Sequence, residues 1–80
     1  MKIGVEIEYW VVNDKGQLIS SKKLAEKVSF AEQEFVEPLI EIKTRPHSQT
    51  EELKQEIRSK VRELTQEAEK LNQNIVPLGT

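Results

Sequence analysis

Cysteine is absent from this 80-residue sequence, and histidine occurs only once, at position 47. Without cysteine, neither a disulfide framework nor a thiolate metal site is possible, so a cytoplasmic location is the expectation. His47 has no second imidazole with which to share a metal ion, and we expect it to be structural. The serines and threonines have no base at motif spacing, which leaves nucleophilic catalysis without support.

Long apolar runs and an excess of one charge are absent as well. The sequence has neither a transmembrane-length apolar stretch nor the apolar segment of a secretory signal. Its net charge is −2, with acids and bases interleaved, so no basic stripe is available to neutralise a phosphate backbone. We therefore expect neither a membrane nor a nucleic acid as a partner.

What is present is the composition of an ordinary folded domain. Hydrophobic residues make up 36% of the chain and charged residues 32%, with three glycines and three prolines, which is not the balance of a disordered segment. No repeat or linker divides the chain, so residues 1–80 are predicted to form a single domain. A chain of this length buries only about 60% of its unfolded surface, which leaves room for one sheet and one helix layer.

The strongest pattern is a strict alternation from about Lys2 to Val12, which predicts a first strand. One face of this strand is apolar and should form a core wall, whereas the other face carries Glu6, Glu8 and Trp10. The residues Asn-Asp-Lys-Gly that follow are typical of a turn. We expect Gln17 to Ser20 to return as a short second strand.

A third strand is predicted from about Gln33 to Thr44, where the period of two reappears. Its alternation places Glu37 and Glu41 on the face opposite the isoleucines at positions 40 and 42. Pro38 has no N–H for a ladder, so this part of the strand should be an edge, a bulge or turned away from a neighbour. Between the second and third strands, a serine before an apolar pair favours a short helix up to Val28, followed by a connection up to residue 31.

A long helix is predicted from Ser48 to Asn72. Ser48 and Glu51 have the spacing of a capping box, and Glu56 and Lys60 form a favourable pair on the exposed side. Asn72 or Asn74 is suited to the left-handed conformation that ends a helix, and a last short strand should follow at positions 75–78. The apolar stripe of this helix consists of Leu53, Ile57, Val61, Leu64, Ala68 and Leu71.

Together these elements predict an α+β fold, in which an antiparallel sheet of three to four strands has one long helix packed on one face. If the first and third strands are neighbours, Glu6, Glu8, Glu37 and Glu41 lie on the face away from the helix. Carboxylates gathered in this way repel one another unless a cation neutralises them, and oxygen-only ligands suit Mg²⁺ or Mn²⁺. The alternative is that each glutamate is a solvated residue on an open sheet face, and the pattern by itself leaves both interpretations open.

Three segments, in this order and separated by a helix, resemble the N-terminal part of the glutamate-cysteine ligase-like carboxylate-amine ligases. That family is similar in fold to glutamine synthetase. It uses ATP and a metal ion to convert a carboxylate into an acyl phosphate, which an amine then attacks to form an amide. The segments are Gly4-Val5-Glu6-Ile7-Glu8, Glu37-Pro38-Leu39-Ile40-Glu41-Ile42-Lys43-Thr44 and Ile75-Val76-Pro77-Leu78-Gly79-Thr80.

The resemblance implies a role for each acidic motif. Glu6 and Glu8 match the family's first pair of glutamates around the metal ions and the nucleotide phosphates, and Glu37 and Glu41 match the second pair. Trp10 and Arg45 are candidate substrate-binding residues, the indole as a cover for a nucleotide base and the guanidinium as a partner of a substrate carboxylate or phosphate. The residues themselves favour packing of the indole on the sheet or in an interface, and pairing of Arg45 with a surface glutamate.

Enzymes of this family are several times longer than this chain. The resemblance therefore implies an N-terminal module that carries part of a Mg²⁺ or Mn²⁺ and ATP site and is inactive alone, with the remaining part of a ligase as its partner. The alternative is a non-catalytic interaction or oligomerisation domain that keeps the same scaffold and associates with itself, because small domains with open sheet edges commonly recruit a partner strand.

Overall fold

Strand β1 (Glu6–Asn13) lies inside a four-stranded sheet and pairs with a neighbour on each side. The computed structural model describes residues 1–78, and in it the strands are ordered β2-β3-β1-β4 with every neighbouring pair antiparallel. The predicted α+β fold, an antiparallel sheet with one long helix, is confirmed. The other elements are α1 (Lys22–Lys27), β2 (Ala31–Gln33), β3 (Leu39–Lys43), α2 (Thr50–Lys70) and β4 (Gln73–Pro77).

The alternation of β1 divides the sheet into a covered face and an open face. Tyr9 and Val11 point to the covered face together with their cross-strand partners Ile40 and Ile75, because residues that face each other in a ladder point the same way. Helices α1 and α2 supply the rest of this core. Its buried members are Tyr9, Val11, Leu24, Val28, Ala31, Ile40, Ile42, Leu64 and Ala68.

Helix α2 packs through the second half of the stripe predicted from its sequence, from Val61 to Leu71. Leu64 and Ala68 are fully buried, and Val61 and Leu71 pack against the core at its edge. Asn72 has a φ of 58° and ends the helix as predicted. No helix among residues 1–78 has the length and apolar character needed to cross a membrane.

The predicted capping box at the start of α2 is wrong. The N-cap is Gln49 rather than Ser48, and it makes no side-chain capping hydrogen bond. The reason lies one residue earlier, where the His47 and Ile3 backbones exchange two hydrogen bonds of 2.7 and 2.9 Å. This bridge keeps the chain extended through His47, so the N-cap falls one residue later than the sequence signal predicts.

The predicted second strand, Gln17 to Ser20, is not formed. Gly16 takes the left-handed conformation expected of the turn, with φ of 78°, and Asn13 Oδ1 accepts hydrogen bonds from the amides of Lys15 and Gln17. Only Leu18 then pairs with β1, in a single bridge to Val12. The chain leaves the sheet at this point because it must enter α1, which begins at Lys22.

The predicted third strand is in fact two short strands with a turn between them. Strand β2 begins at Ala31, within the stretch predicted to be a connection, and β3 begins only at Leu39. Glu37 and Pro38 occupy the turn. Proline cannot donate to a ladder, and the buried Ser21 hydroxyl donates to the carbonyl oxygens of Glu37 (2.9 Å) and Leu39 (2.7 Å), which ties the turn to the start of α1.

Candidate acidic sheet face

The open face of the sheet brings three of the four predicted glutamates together. Glu8 pairs directly with Glu41 across β1 and β3, and Glu41 pairs on its other side with Glu32 of β2. Glu6 stands opposite Lys43 in the next row of the same face. We refer to Glu6, Glu8, Glu32, Glu41 and Lys43 as the acidic face.

Glu41 is the buried member of this face, with only 7% of its surface exposed. A hydrogen bond with the carboxyl group of Glu34 is the largest cause that raises the pKa of Glu41, and burial and the negative charge of Glu34 raise it further. Lys43 acts in the opposite direction but does not cancel these effects. Glu41, next to Glu34, therefore holds a proton more readily than an isolated glutamate does.

Lys43 is the cation that the protein itself supplies to this face. Its ammonium nitrogen lies 3.5 Å from a carboxylate oxygen of Glu41 and 3.7 Å from one of Glu32. The charges of Glu32 and Glu41 raise the pKa of Lys43, so Lys43 stays charged and offsets part of the repulsion among the carboxylates.

Glu37 does not lie on a strand, contrary to the prediction. The side chain of Glu37 is exposed in the turn before β3, whereas its carbonyl oxygen accepts hydrogen bonds from the Ser21 amide (3.0 Å), the Ser21 hydroxyl (2.9 Å) and the Gln33 side chain (3.1 Å). The backbone of Glu37 is thus firmly held, but sheet alternation no longer fixes where its carboxylate points.

Trp10 lies on the same open face as Glu8, as predicted, and is half-buried. Leu39 faces it from β3 and Val76 faces it from β4. The open face therefore has an acidic half and an apolar half, and the indole stands beside the first carboxylate row. Val76 and Leu78 leave 38% and 42% of their surface exposed next to it.

Arg45 and His47 lie just after β3 and contact α2 rather than the acidic face. Nε of Arg45 is 3.8 Å from Glu56 Oε1, and His47 Nε2 bonds to the same oxygen. Glu56 is only 9% exposed, so the Glu56–Lys60 pair is not the exposed surface pair that the sequence predicts. Arg45 thus has a glutamate partner in the fold, yet its side chain remains 81% exposed.

The donors of the acidic face suit a hard divalent cation in chemistry but do not close around one. All of the acidic groups are carboxylates, which Mg²⁺ and Mn²⁺ prefer. Among residues 1–78, however, no three His, Asp or Glu side chains converge closely enough to hold a metal ion. An ion on this face would have to replace Lys43 as the partner of Glu41.

Sequence reasoning missed two members of this face, Glu32 and Lys43, and the partner of Glu41, Glu34. Glu32 and Glu34 fall where a connection and the start of a longer strand are predicted, so neither was assigned to a face of the sheet. The signal that could have found them is the spacing of two, which Glu32 and Glu34 share with Glu6 and Glu8. Lys43 falls on the correct face by alternation, but its pairing depends on the register.

No family model, no curated protein and no solved structure matches this chain. The resemblance of its motifs to carboxylate-amine ligases therefore stays a prediction, and the arguments that follow rest on the geometry of the described residues.

The Glu34–Glu41 pair makes a prediction about stability. Since the pKa of Glu41 is raised by folding, ionising Glu41 weakens the fold as pH rises above the ordinary value of 4.5. Glu34→Gln removes the negative charge and should raise the free energy of unfolding at neutral pH by about 0.5 kcal/mol, the scale for like charges on neighbouring strands. Urea unfolding measures this change, and Glu26→Gln on the exposed side of α1 is the control. An unchanged or lower stability of the Glu34 variant would contradict it.

The buried Glu56 predicts the opposite pH dependence. Hydrogen bonds from His47 and Lys60 are the main causes that lower the pKa of Glu56 to about 2 from an ordinary 4.5. Its ionised form therefore stabilises the fold fully above pH 4.5, and this contribution is lost as pH falls from 4.5 through about 2. Glu56→Gln should lower the unfolding free energy by about 1–3 kcal/mol at neutral pH.

Urea unfolding at neutral pH and at several acidic pH values tests this prediction. The stability difference between Glu56→Gln and the unmodified chain should shrink toward acid, whereas Glu63→Gln, an exposed carboxylate on the same helix, should show no such trend. A difference that is constant across this range of pH would show that the charge of Glu56 does not stabilise the fold.

Proposed function

We propose that this chain is the N-terminal module of an ATP-dependent carboxylate-amine ligase of the glutamate-cysteine ligase-like kind, and that its acidic face is part of a divalent-cation site. The module contributes carboxylates to a site completed by the rest of a ligase. We expect no amide-forming activity from these residues alone.

The observation that carries this proposal is the pairing of Glu8 with Glu41. These two residues are 33 positions apart in the sequence, and each belongs to one of the two acidic motifs of the resemblance. A register shifted by one residue would have placed them on opposite faces of the sheet. Their meeting on the face away from α2 supports a cation shared between the two motifs.

Burial of Glu41 gives a second line of support. A carboxylate that is largely removed from water, next to another carboxylate, is unfavourable unless a cation compensates it. Lys43 compensates only in part, since the pKa of Glu41 remains raised in its presence. A divalent ion bound by Glu8 and Glu41, with Glu6 at the edge, would neutralise the face more fully than one ammonium group.

The nucleotide would lie over the apolar half of the same face. Trp10 presents a half-buried indole between Leu39 and Val76, and a base could stack there with its phosphates toward the carboxylate row and its cation. Arg45 keeps most of its side chain exposed and is available to a phosphate or to a substrate carboxylate.

Mn²⁺ tests the proposal directly because it broadens the NMR signals of nearby nuclei. We expect broadening of amide signals at Glu8, Trp10 and Glu41 at low Mn²⁺ concentration, and competition by Mg²⁺. ATP added with Mg²⁺ should change the fluorescence of Trp10, the single tryptophan of the chain. Glu8→Gln and Glu41→Gln should each weaken Mn²⁺ binding by about tenfold or more, since even outer-shell partners of a metal contribute that much.

Glu63→Gln is the matched control, because it removes one exposed carboxylate from α2 and leaves the sheet untouched. Broadening that is centred on α2, or that persists equally in the Glu8 and Glu41 variants, would overturn the proposal. Binding that is lost in Glu63→Gln to the same extent would show a non-specific response to charge.

A specific observation also favours the second candidate, an interaction domain that associates with itself. Phe35 is fully exposed at the turn between β2 and β3, and Val36 beside it is 48% exposed. The strands at the two edges of the sheet are β2, which leads into this turn, and β4, and edge strands commonly pair with another chain. Pro77 weakens this case, because it supplies no N–H to a further strand.

Analytical ultracentrifugation separates the two candidates. An interaction domain should sediment as a dimer at concentrations where a ligase module would be monomeric. Phe35→Ser should raise the dissociation constant of this dimer by about tenfold, which is the scale for losing one central aromatic contact. Leu18→Ser, at another exposed apolar position, is the control. A strictly monomeric chain with a Mn²⁺-responsive acidic face would remove the basis for this candidate.

A further inference from the structure

The carboxylate of Glu56 has several hydrogen-bond and ion-pair partners on the helix side of the sheet. Its two oxygens accept hydrogen bonds from the Arg45 amide at 3.1 and 3.3 Å. The Lys60 ammonium lies 2.6 Å from Oε2, and His47 Nε2 bonds to Oε1. Most exposed ion pairs stabilise a fold very little. The number of partners of Glu56 therefore sets it apart from an ordinary surface pair.

All of these contacts converge on the chain that leaves β3. Arg45 and His47 are the second and fourth residues after the strand ends at Lys43. Lys60 reaches the same segment, because its ammonium donates to the Lys43 carbonyl oxygen at 2.8 Å while it also pairs with Glu56. One buried carboxylate on α2 therefore holds the backbone at both Lys43 and Arg45.

Lys43 also belongs to the acidic face. Its backbone carbonyl is held by Lys60 on the helix side, whereas its side chain pairs with Glu41 and Glu32 on the open side. Since a strand is stiff over two residues, fixing the backbone at Lys43 also fixes the direction of Glu41. The helix and the acidic face are thus connected through a single residue of β3.

We propose that Glu56 is a positioning residue for the acidic face: it fixes the end of β3 through Lys60 and the Arg45 amide, and so holds Glu41 in line with Glu8. This inference rests on the proposed cation site. Glu56 lies on α2, whereas the acidic face is on the other side of the sheet, so its effect would pass through Lys60 and the backbone of β3.

The experiment compares Mn²⁺ binding in the whole chain and four variants, with amide shifts as a readout that needs no metal. Glu56→Gln removes the charge, and Lys60→Met removes the donor to the Lys43 carbonyl. Lys60→Arg keeps a cation and a donor in place. Val61→Ala is the control for stability alone, because Val61 packs at the edge of the core and has no contact with the end of β3 among those described above.

We expect Glu56→Gln and Lys60→Met to weaken Mn²⁺ binding by about tenfold, the lower end of the effect of outer-shell partners. Lys60→Arg should restore most of the affinity, and Val61→Ala should bind as the unmodified chain does even where its melting temperature falls. Without metal, the amide signals of Glu41 and Lys43 should shift in Glu56→Gln and stay in place in Val61→Ala.

Each failure has a distinct meaning. Unweakened Mn²⁺ binding in folded Glu56→Gln overturns the positioning role while the proposed cation site stands. Mn²⁺ binding that is weakened equally in Val61→Ala also overturns the positioning role, because a general loss of stability would then explain the weaker binding. If the unmodified chain does not bind Mn²⁺ at the acidic face, the proposed function fails, and the amide signals decide the positioning role: unchanged Glu41 and Lys43 signals in Glu56→Gln overturn it.

Discussion

The antiparallel pairing of β1 with β3 is the contact on which both faces of this sheet depend. It places Ile7 opposite Ile42 on the covered face and Glu8 opposite Glu41 on the open face. Side chains alternate with a period of two, so a slip of one residue would have turned the isoleucines outward and the carboxylates inward. The burial of Ile40 and Ile42 therefore fixes the register, and the gathering of the acidic residues follows from that register.

That gathering works against stability. Glu41 is buried beside Glu34, and a hydrogen bond with Glu34, burial and the negative charge of Glu34 together raise the pKa of Glu41. Lys43 offsets part of the negative charge from within the sheet, through its contacts with Glu41 and Glu32. Regions that oppose the rest of a fold in this way are commonly functional, because a stable surface has no need of them. The acidic face fits this description better than any other part of the described chain.

The end of β3 and the few residues that follow it make contacts on both sides of the sheet. On the helix side, Glu56 and Lys60 hold the backbone there, and the His47 backbone pairs with Ile3 near the start of the chain. On the open side, Lys43 contacts two carboxylates. Both oxygens of Glu56 are engaged in this buried polar network, and a network of this kind allows little variation in geometry. Helix α2 therefore restrains the end of β3 in addition to covering the core.

The sequence by itself determined that β1 and α2 form and which of their faces are apolar. The strict alternation of β1, the spacing of the α2 stripe and the left-handed Asn72 are local properties, and each was predicted from residues that are neighbours in the chain. For the same reason Glu6 and Glu8 could be assigned to one face, since they lie on one strand. The candidate site was therefore predictable to the extent that it depends on alternation.

Only the tertiary structure decided where the strands end and what the charged residues contact. The turn that removes Glu37 from β3 depends on Ser21, sixteen positions earlier, and the late start of α2 depends on the pairing of His47 with Ile3. Glu56 had the sequence signal of an exposed helix pair, yet it is buried by the chain that leaves β3. Local patterns carry no information about such partners, because hydrogen bonds and ion pairs between distant residues form only after packing brings those residues together.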